Sequence, residues 1–313
     1  MIRRPATAAL SLLLLLGGGC ASTPVAPADA AQLVAAAEAE VQAGNYGGAF
    51  RALSPVSDEA CPKHLQDRRD LARARAEVGV GELWESYLVL ERFSDDHPLS
   101  DLRPQVMELL WTIGNQLLAR DSSAVFFWSD RGAARIVLEH LITRHPDTQR
   151  LADALRILGD MAFEDGDYEV AQTRYREIIL ERPDSDWRFY ANFRFAMSIV
   201  AGLRGSDYDL DGMRHAATEL RTFLRTAPEN PQMLAEAQRA LQQVLAWQVQ
   251  RHLDVVDYYK TLDNFDGQLH HARMATREEF REVSGYEEAV AVRERLEAAR
   301  AAAEAAAPAG GAR

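Results

Sequence analysis

The chain has 313 residues, 47% hydrophobic and 26% charged, a globular composition with enough apolar mass for a sizeable core or several stacked ones. Its 47 acidic and 35 basic residues give a formal net charge of -12, which argues against nucleic acid as the primary partner, because phosphate contacts need clustered Lys and Arg. Two cysteines, Cys20 and Cys61, do not make a disulfide framework.

The first residues form a block of their own. Arg3 and Arg4 precede an apolar stretch from Ala6 to Leu16, which ends in Gly17 to Gly19. This is the layout of a secretory signal, and residues 1–19 are read as a signal peptide. The apolar part is about half the ~20 residues that a membrane-spanning helix needs. Cys20 follows directly, and two readings fit it: lipidation at the new N-terminus, or ordinary cleavage nearby that releases the chain. Gly17 holds the place three before the cysteine where a lipoprotein signal usually has Leu, and Leu16 is one further back. Residues 20–31 read as this cysteine followed by a flexible tether: Ser22 to Ala30 is Pro/Ala-rich without a helical period, and a stretch of that length reaches roughly 30 Å when extended. If Cys20 carries lipid, Cys61 has no intramolecular partner and reads as a small buried thiol.

From residue 32 to residue 283 the pattern is helical and repetitive. The clearest unit is Leu151 to Ser185. Leu151, Ala154, Leu155 and Leu158 share one helical face, Gly166-Asp167 breaks the helix, and Tyr168, Ala171, Tyr175 and Ile178 share a face of the next. Pro183 ends that helix, and Asp184 to Asp186 offer N-caps for its successor. These residues resemble a tetratricopeptide repeat. Leu158-Gly159 match the family's Leu-Gly pair, Gly166 and Tyr168 its turn glycine and following aromatic, and Ala171, Tyr175 and Pro183 its Ala, aromatic and terminal Pro. Ala162 stands where the family has an aromatic, with Phe163 beside it.

Weaker units surround this one. Gly44, Tyr46 and Ala49 repeat the spacing of Gly166, Tyr168 and Ala171. Helix-ending prolines recur at Pro98, Pro146, Pro183 and Pro228, at gaps above the ~34 residues usual for the repeat. Arg120 to Asp130 and Gly202 to Gly212 are the expected insertions. A long helix is predicted from Gln232 to about Thr261, another from Gln268 to about Val283, and an Ala-rich C-terminal helix within residues 284–307, with a thin seam of Ala289, Val292, Leu296, Ala299 and Ala303. Residues 308–313 read as a disordered tail. The expectation is an all-α, tetratricopeptide-type helical-hairpin repeat solenoid of about five repeats, whose stacking makes a groove for an extended or helical peptide.

No catalytic constellation is evident: there is no G-x-S-x-G, P-loop, H-E-x-x-H or C-x-x-C. The chain is therefore read as a non-enzyme without cofactor or metal. His140 and His145 do not share a helix face, and His270 and His271 point apart. Asp207, Asp209, Asp211 and Gly212 match the opening of a calcium loop, but the twelfth position is Thr218, with Glu219 one late. This stretch reads as a solvated acidic loop. The aromatic run Phe189 to Phe195 reads as helix core.

At the level of the whole chain the sequence resembles the BamD family, tetratricopeptide lipoproteins of the outer-membrane β-barrel assembly machinery. The export signal with Cys20 matches the family's start, the segment from Ala154 to Ser198 its central repeat and following helix, and the stretch from Val244 to Met274 its long helix. There Tyr258-Tyr259 and Phe265 match the family's aromatics and Gly267 a small residue, while Asp263 stands where the family usually has a turn glycine. The resemblance implies a palmitate-type lipid on Cys20 and a periplasm-facing position on the outer membrane, to which Ala21 after the cysteine also points. It further implies a scaffold role, binding proteins or peptides, a β-barrel insertase complex among them, through the groove and the C-terminal helices. It transfers no partner-binding residue. The other reading is a different cell-envelope adaptor built on the same repeats, serving cell-wall or secretion machinery.

Overall fold

The computed structural model describes residues 26–58, 61–120, 129–207, 209–226 and 230–306. The signal peptide, Cys20, residues 21–25 of the tether, the core of the insertion at residues 121–128, Pro228 and the tail at residues 308–313 lie outside the described residues. Among the described residues every regular element is a helix. The all-α, helical-hairpin fold read from the sequence is the fold observed.

The chain divides into two compact units, residues 1–109 and residues 110–313. The first holds α1 (Pro27–Gln42), α2 (Tyr46–Leu53), α3 (Lys63–Val80), α4 (Leu83–Leu90), the single turn α5 (Phe93–Asp96) and the start of α6 (Arg103–Arg120). The second holds the rest of α6, then α7 (Asp130–Arg144), α8 (Leu151–Glu164), α9 (Tyr168–Glu181), α10 (Arg188–Gly202) and α11 (Leu210–Arg225). It continues through the long α12 (Pro231–Thr261), α13 (Phe265–Ala275), a 3-10 turn (Glu278–Phe280) and α14 (Tyr286–Ala306).

One turn geometry closes four of the hairpins. Gly44, Gly81 and Gly166 have φ of 73°, 90° and 83°, and Asp263 has 51°. In each case the next N–H bonds a carbonyl five residues back: Asn45 to Glu40 at 2.9 Å, Glu82 to Glu77 at 2.9 Å, Asp167 to Ala162 at 2.8 Å and Asn264 to Tyr259 at 3.0 Å. This is the left-handed helix stop in which orphan carbonyls find donors. Asp263 is the one non-glycine with positive φ among the described residues, so its departure from the expected turn glycine changes the residue and keeps the geometry; Asp tolerates that region through its short polar side chain. Five residues after each glycine a small, fully buried side chain seats the second helix against the first: Ala49, Ser86 and Ala171. The Gly81 turn is not apparent in the sequence, because Leu83 and Ser86 replace the expected aromatic and Ala.

A second device joins one hairpin to the next. His97, His145 and Arg182 each precede a proline and take nearly the same backbone angles, φ -129°, -133° and -135° with ψ 58°, 61° and 57°. Proline bars the preceding residue from helical angles. Two residues after each proline a hydroxyl, of Ser100, Thr148 or Ser185, accepts the N–H of Leu102, Arg150 or Trp187 at 3.1–3.2 Å. Of the expected caps Asp184 to Asp186, it is the middle residue, Ser185, that turns the chain, because a side-chain oxygen two residues ahead of the free N–H is the one placed to reach it.

The described residues form six consecutive helix pairs, α1/α2, α3/α4, α6/α7, α8/α9, α10/α11 and α12/α13, rather than about five. The α6/α7 pair meets where Gly114 lies so near Leu138 that an added Cβ would sit 2.8 Å from its Cδ2. In the first unit Val34, Ala37, Leu53, Leu65 and Ala72 make the core, with Cys61 in it. Cys61 is the buried free thiol that the sequence predicts, and burial pushes its pKa up.

Three boundaries differ from expectation. Helix α1 begins at Pro27, inside the segment read as a tether up to residue 31. Proline pre-sets the first helical φ, and Ala30 is already buried in the core. Helix α13 stops at Ala275 rather than near Val283, because the Thr276 hydroxyl donates back to the Ala272 carbonyl at 3.1 Å and Arg277 is extended. In α14 the buried seam holds only from Ala289 to Leu296, and Ala299 and Ala303 are exposed. Its partner α13 has 11 residues, roughly 16 Å of helix, and Arg300 already reaches Asp266 at its first turn.

Candidate functional site

The residues that mark the α8/α9 repeat set up a polar surface. Leu158 is buried, and Gly159 beside it has no Cβ where one would come within 2.8 Å of Tyr175 Cε1. The Tyr175 ring therefore lies close against α8 at Gly159 and is fully buried, as are Ala171 and Ile178 on the same helix as Tyr175. Gly166 makes the turn, Tyr168 packs edge-on against Phe163 at 5.3 Å, and Pro183 closes the unit.

Held this way, the Tyr175 hydroxyl donates to Asp160 Oδ1 at 2.7 Å, and the Tyr190 hydroxyl of α10 donates to the same oxygen at 2.7 Å. Arg156 Nη1 donates to Asp160 Oδ2 at 2.7 Å. Arg194 Nε donates to the Tyr175 hydroxyl at 3.2 Å and stands 3.6 Å from Asp160. Alongside, Trp187 Nε1 donates to Asp153 Oδ1 at 2.7 Å. The Arg156 guanidinium covers the Trp187 ring at 4.4 Å and that of Arg194 covers Phe163 at 3.9 Å, both within cation–π range.

Two carboxylates, two guanidiniums, two phenols and an indole thus form one half-buried face across α8, α9 and α10. Burial, and next the bond to Asp160, push the pKa of both Tyr175 and Tyr190 well up, so both phenols remain donors. Charges balance within the face. Such a surface presents aromatic and guanidinium groups, the side chains enriched where proteins bind proteins. It continues toward α7 through Arg174, which donates to Glu139 at 2.6 Å. None of Asp153, Arg156, Asp160, Trp187 or Arg194 stands out in the sequence. The available signals were the four-residue spacings Arg156–Asp160 and Tyr190–Arg194 on helices two apart in order.

The aromatic run from Phe189 to Phe195 is split by its position on α10. Phe193 and Phe195 are core, as expected, Tyr190 joins the polar face, and Phe189 is 44% exposed.

The C-terminal hairpin gathers a second group. His252 of α12 and His271 of α13 approach with Nδ1 atoms 3.1 Å apart, and Tyr259 stacks on His271 with ring centroids 5.7 Å apart. Gly267 makes this possible, since a Cβ there would lie 2.6 Å from the Tyr259 ring. His252 is buried, and burial first, then the electrostatic influence of His271, Arg214, Arg277 and His270, pushes its pKa down to about 4. His270 is exposed while His271 turns inward. On the outer side Tyr258 and Leu262, one helical turn apart, are 59% and 55% exposed.

The acidic loop has structural work of its own. Asp209 caps α11 by accepting the N–H groups of Asp211 and Gly212, and Asp211 pairs with Arg214 at 2.9 Å. Among the described residues no three His, Cys, Asp or Glu side chains could hold a metal ion together, and no helix is long and apolar enough to cross a membrane. No family model and no curated protein matches the chain.

Proposed function

We propose that the chain is a lipid-anchored scaffold of the cell envelope, similar to the BamD component of outer-membrane β-barrel assembly, which works by binding proteins or peptides and not by catalysis. The observation that carries this reading is the α8–α10 face. It offers Arg156, Trp187, Tyr190 and Arg194 half-buried and already fixed by hydrogen bonds, so a partner meets them at little further cost in side-chain entropy. The exposed pair Tyr258 and Leu262 supplies an apolar contact on the C-terminal hairpin, where the sequence resembles the family's long helix. The amino-terminal pattern around Cys20 supports export and an acyl anchor facing the periplasm from the outer membrane. A single acyl chain binds membranes only marginally, whereas several chains on one cysteine hold firmly.

Replacing Cys20 by Ser tests the anchor. In fractionated cells the wild-type chain is expected in the membrane pellet and the variant in the soluble envelope fraction. A variant that stays membrane-bound in the same amount rules out lipid as the anchor. Affinity capture from detergent-solubilised membranes tests the assembly role: co-purification of a large β-barrel protein is expected, and recovery of cell-wall or secretion components in its place would assign the chain to another envelope adaptor.

A further inference from the structure

A cavity of about 160 Å³ lies between α11, α12 and the 3-10 turn, apart from the α8–α10 face. Its wall includes Arg214 and Arg221 from α11, Gln248 and His252 from α12, and Arg277 and Glu279 from the segment after α13. Three guanidiniums converge here in a chain whose net charge is -12. Arg221 pairs with Glu279 at 2.8 Å, and Arg214 with Asp211 at 2.9 Å, a carboxylate outside the wall that is 81% exposed. Among the described residues no carboxylate pairs with Arg277. The wall therefore carries more positive than negative charge. The cavity is well below the roughly 300 Å³ at which ordinary small-molecule sites begin, and guanidinium forks match the oxygens of a phosphate.

We propose that this cavity binds one phosphate-class oxyanion, free or as the head of a phosphomonoester. Arg277 and Arg214 supply the unbalanced charge, and Gln248, whose Nε2 already donates to the Met213 carbonyl at 3.4 Å, holds α12 to α11 at its floor. The guanidiniums of Arg214 and Arg277 act with burial to disfavour a charge on His252. A bound anion offsets their field. The proposal does not depend on the scaffold reading.

Calorimetric titration of the full chain with inorganic phosphate tests it. Saturable binding is expected. Arg277→Gln, at an exposed position, is expected to weaken binding at least about ten-fold with an unchanged melting temperature. Titration with phosphatidic acid vesicles distinguishes the source: vesicle binding that needs Arg277 without response to free phosphate assigns the site to a lipid head, and competition by free phosphate assigns it to the soluble ion. Binding of either probe that is indifferent to Arg277→Gln, or no binding of either up to about 10 mM phosphate, overturns the proposal.

Discussion

Asp160→Ala is expected to lower the unfolding free energy by about 3 kcal/mol. The carboxylate accepts from Tyr175, Tyr190 and Arg156 and stands 3.6 Å from Arg194. Its removal strands a fully buried phenol and leaves two half-buried guanidiniums without their counter-charge. Breaking a buried pair by deleting one partner costs roughly 3–5 kcal/mol, and the side chain here is 19% exposed, which places the effect at the lower end. Asp160→Asn keeps an oxygen acceptor and loses the charge, and is expected to cost about half as much. Urea unfolding checks both: the midpoint shifts while the slope stays unchanged. A loss for Asp160→Ala within about 0.5 kcal/mol, the range of an ordinary surface substitution, contradicts the picture of a coupled network.

Mild acid is expected to weaken the second unit through His252. Its pKa is pushed down to about 4 from 6.5, so between those values the unfolded chain binds a proton that the folded chain refuses. The resulting stability is fully present above about pH 6.5 and is lost as pH falls toward 4. At pH 5 the loss is about 2 kcal/mol relative to pH 7. His271, also pushed down by burial and by His270, acts in the same direction. Denaturant titrations at pH 7 and pH 5 on the wild type and on His252→Gln read the effect. The wild type is expected to lose more stability than His252→Gln does, by the stated amount, and equal losses in both would remove His252 as the cause.

How far the sequence reaches differs by element. The hairpins at Gly44 and Gly166 are legible because a left-handed turn needs glycine and the next helix begins at a fixed distance. The Gly81 hairpin obeys the same geometry with Leu83 and Ser86, which the aromatic–alanine pattern does not cover. The prolines mark the ends of α5, α7 and α9, but the hydroxyls of Ser100, Thr148 and Ser185 that turn the chain lie beside acidic residues of equal capping propensity. The site is less legible than the fold. Asp160 meets Tyr190 across 30 positions and Trp187 meets Asp153 across 34, and the partners come together only once α8 and α10 lie on the same side of α9. His252 and His271 are 19 positions apart on opposite sides of the Asp263 turn, which is why the histidines read as scattered. The seam of α14 follows helical spacing beyond Leu296, yet α13 is too short to cover it.

Scaffold function through the α8–α10 face is tested most directly by photo-crosslinking in intact cells, with a benzophenone side chain in place of Trp187. The expected result is a discrete adduct with a large membrane β-barrel protein. A face that yields no adduct, or one only with a soluble envelope enzyme, contradicts the account.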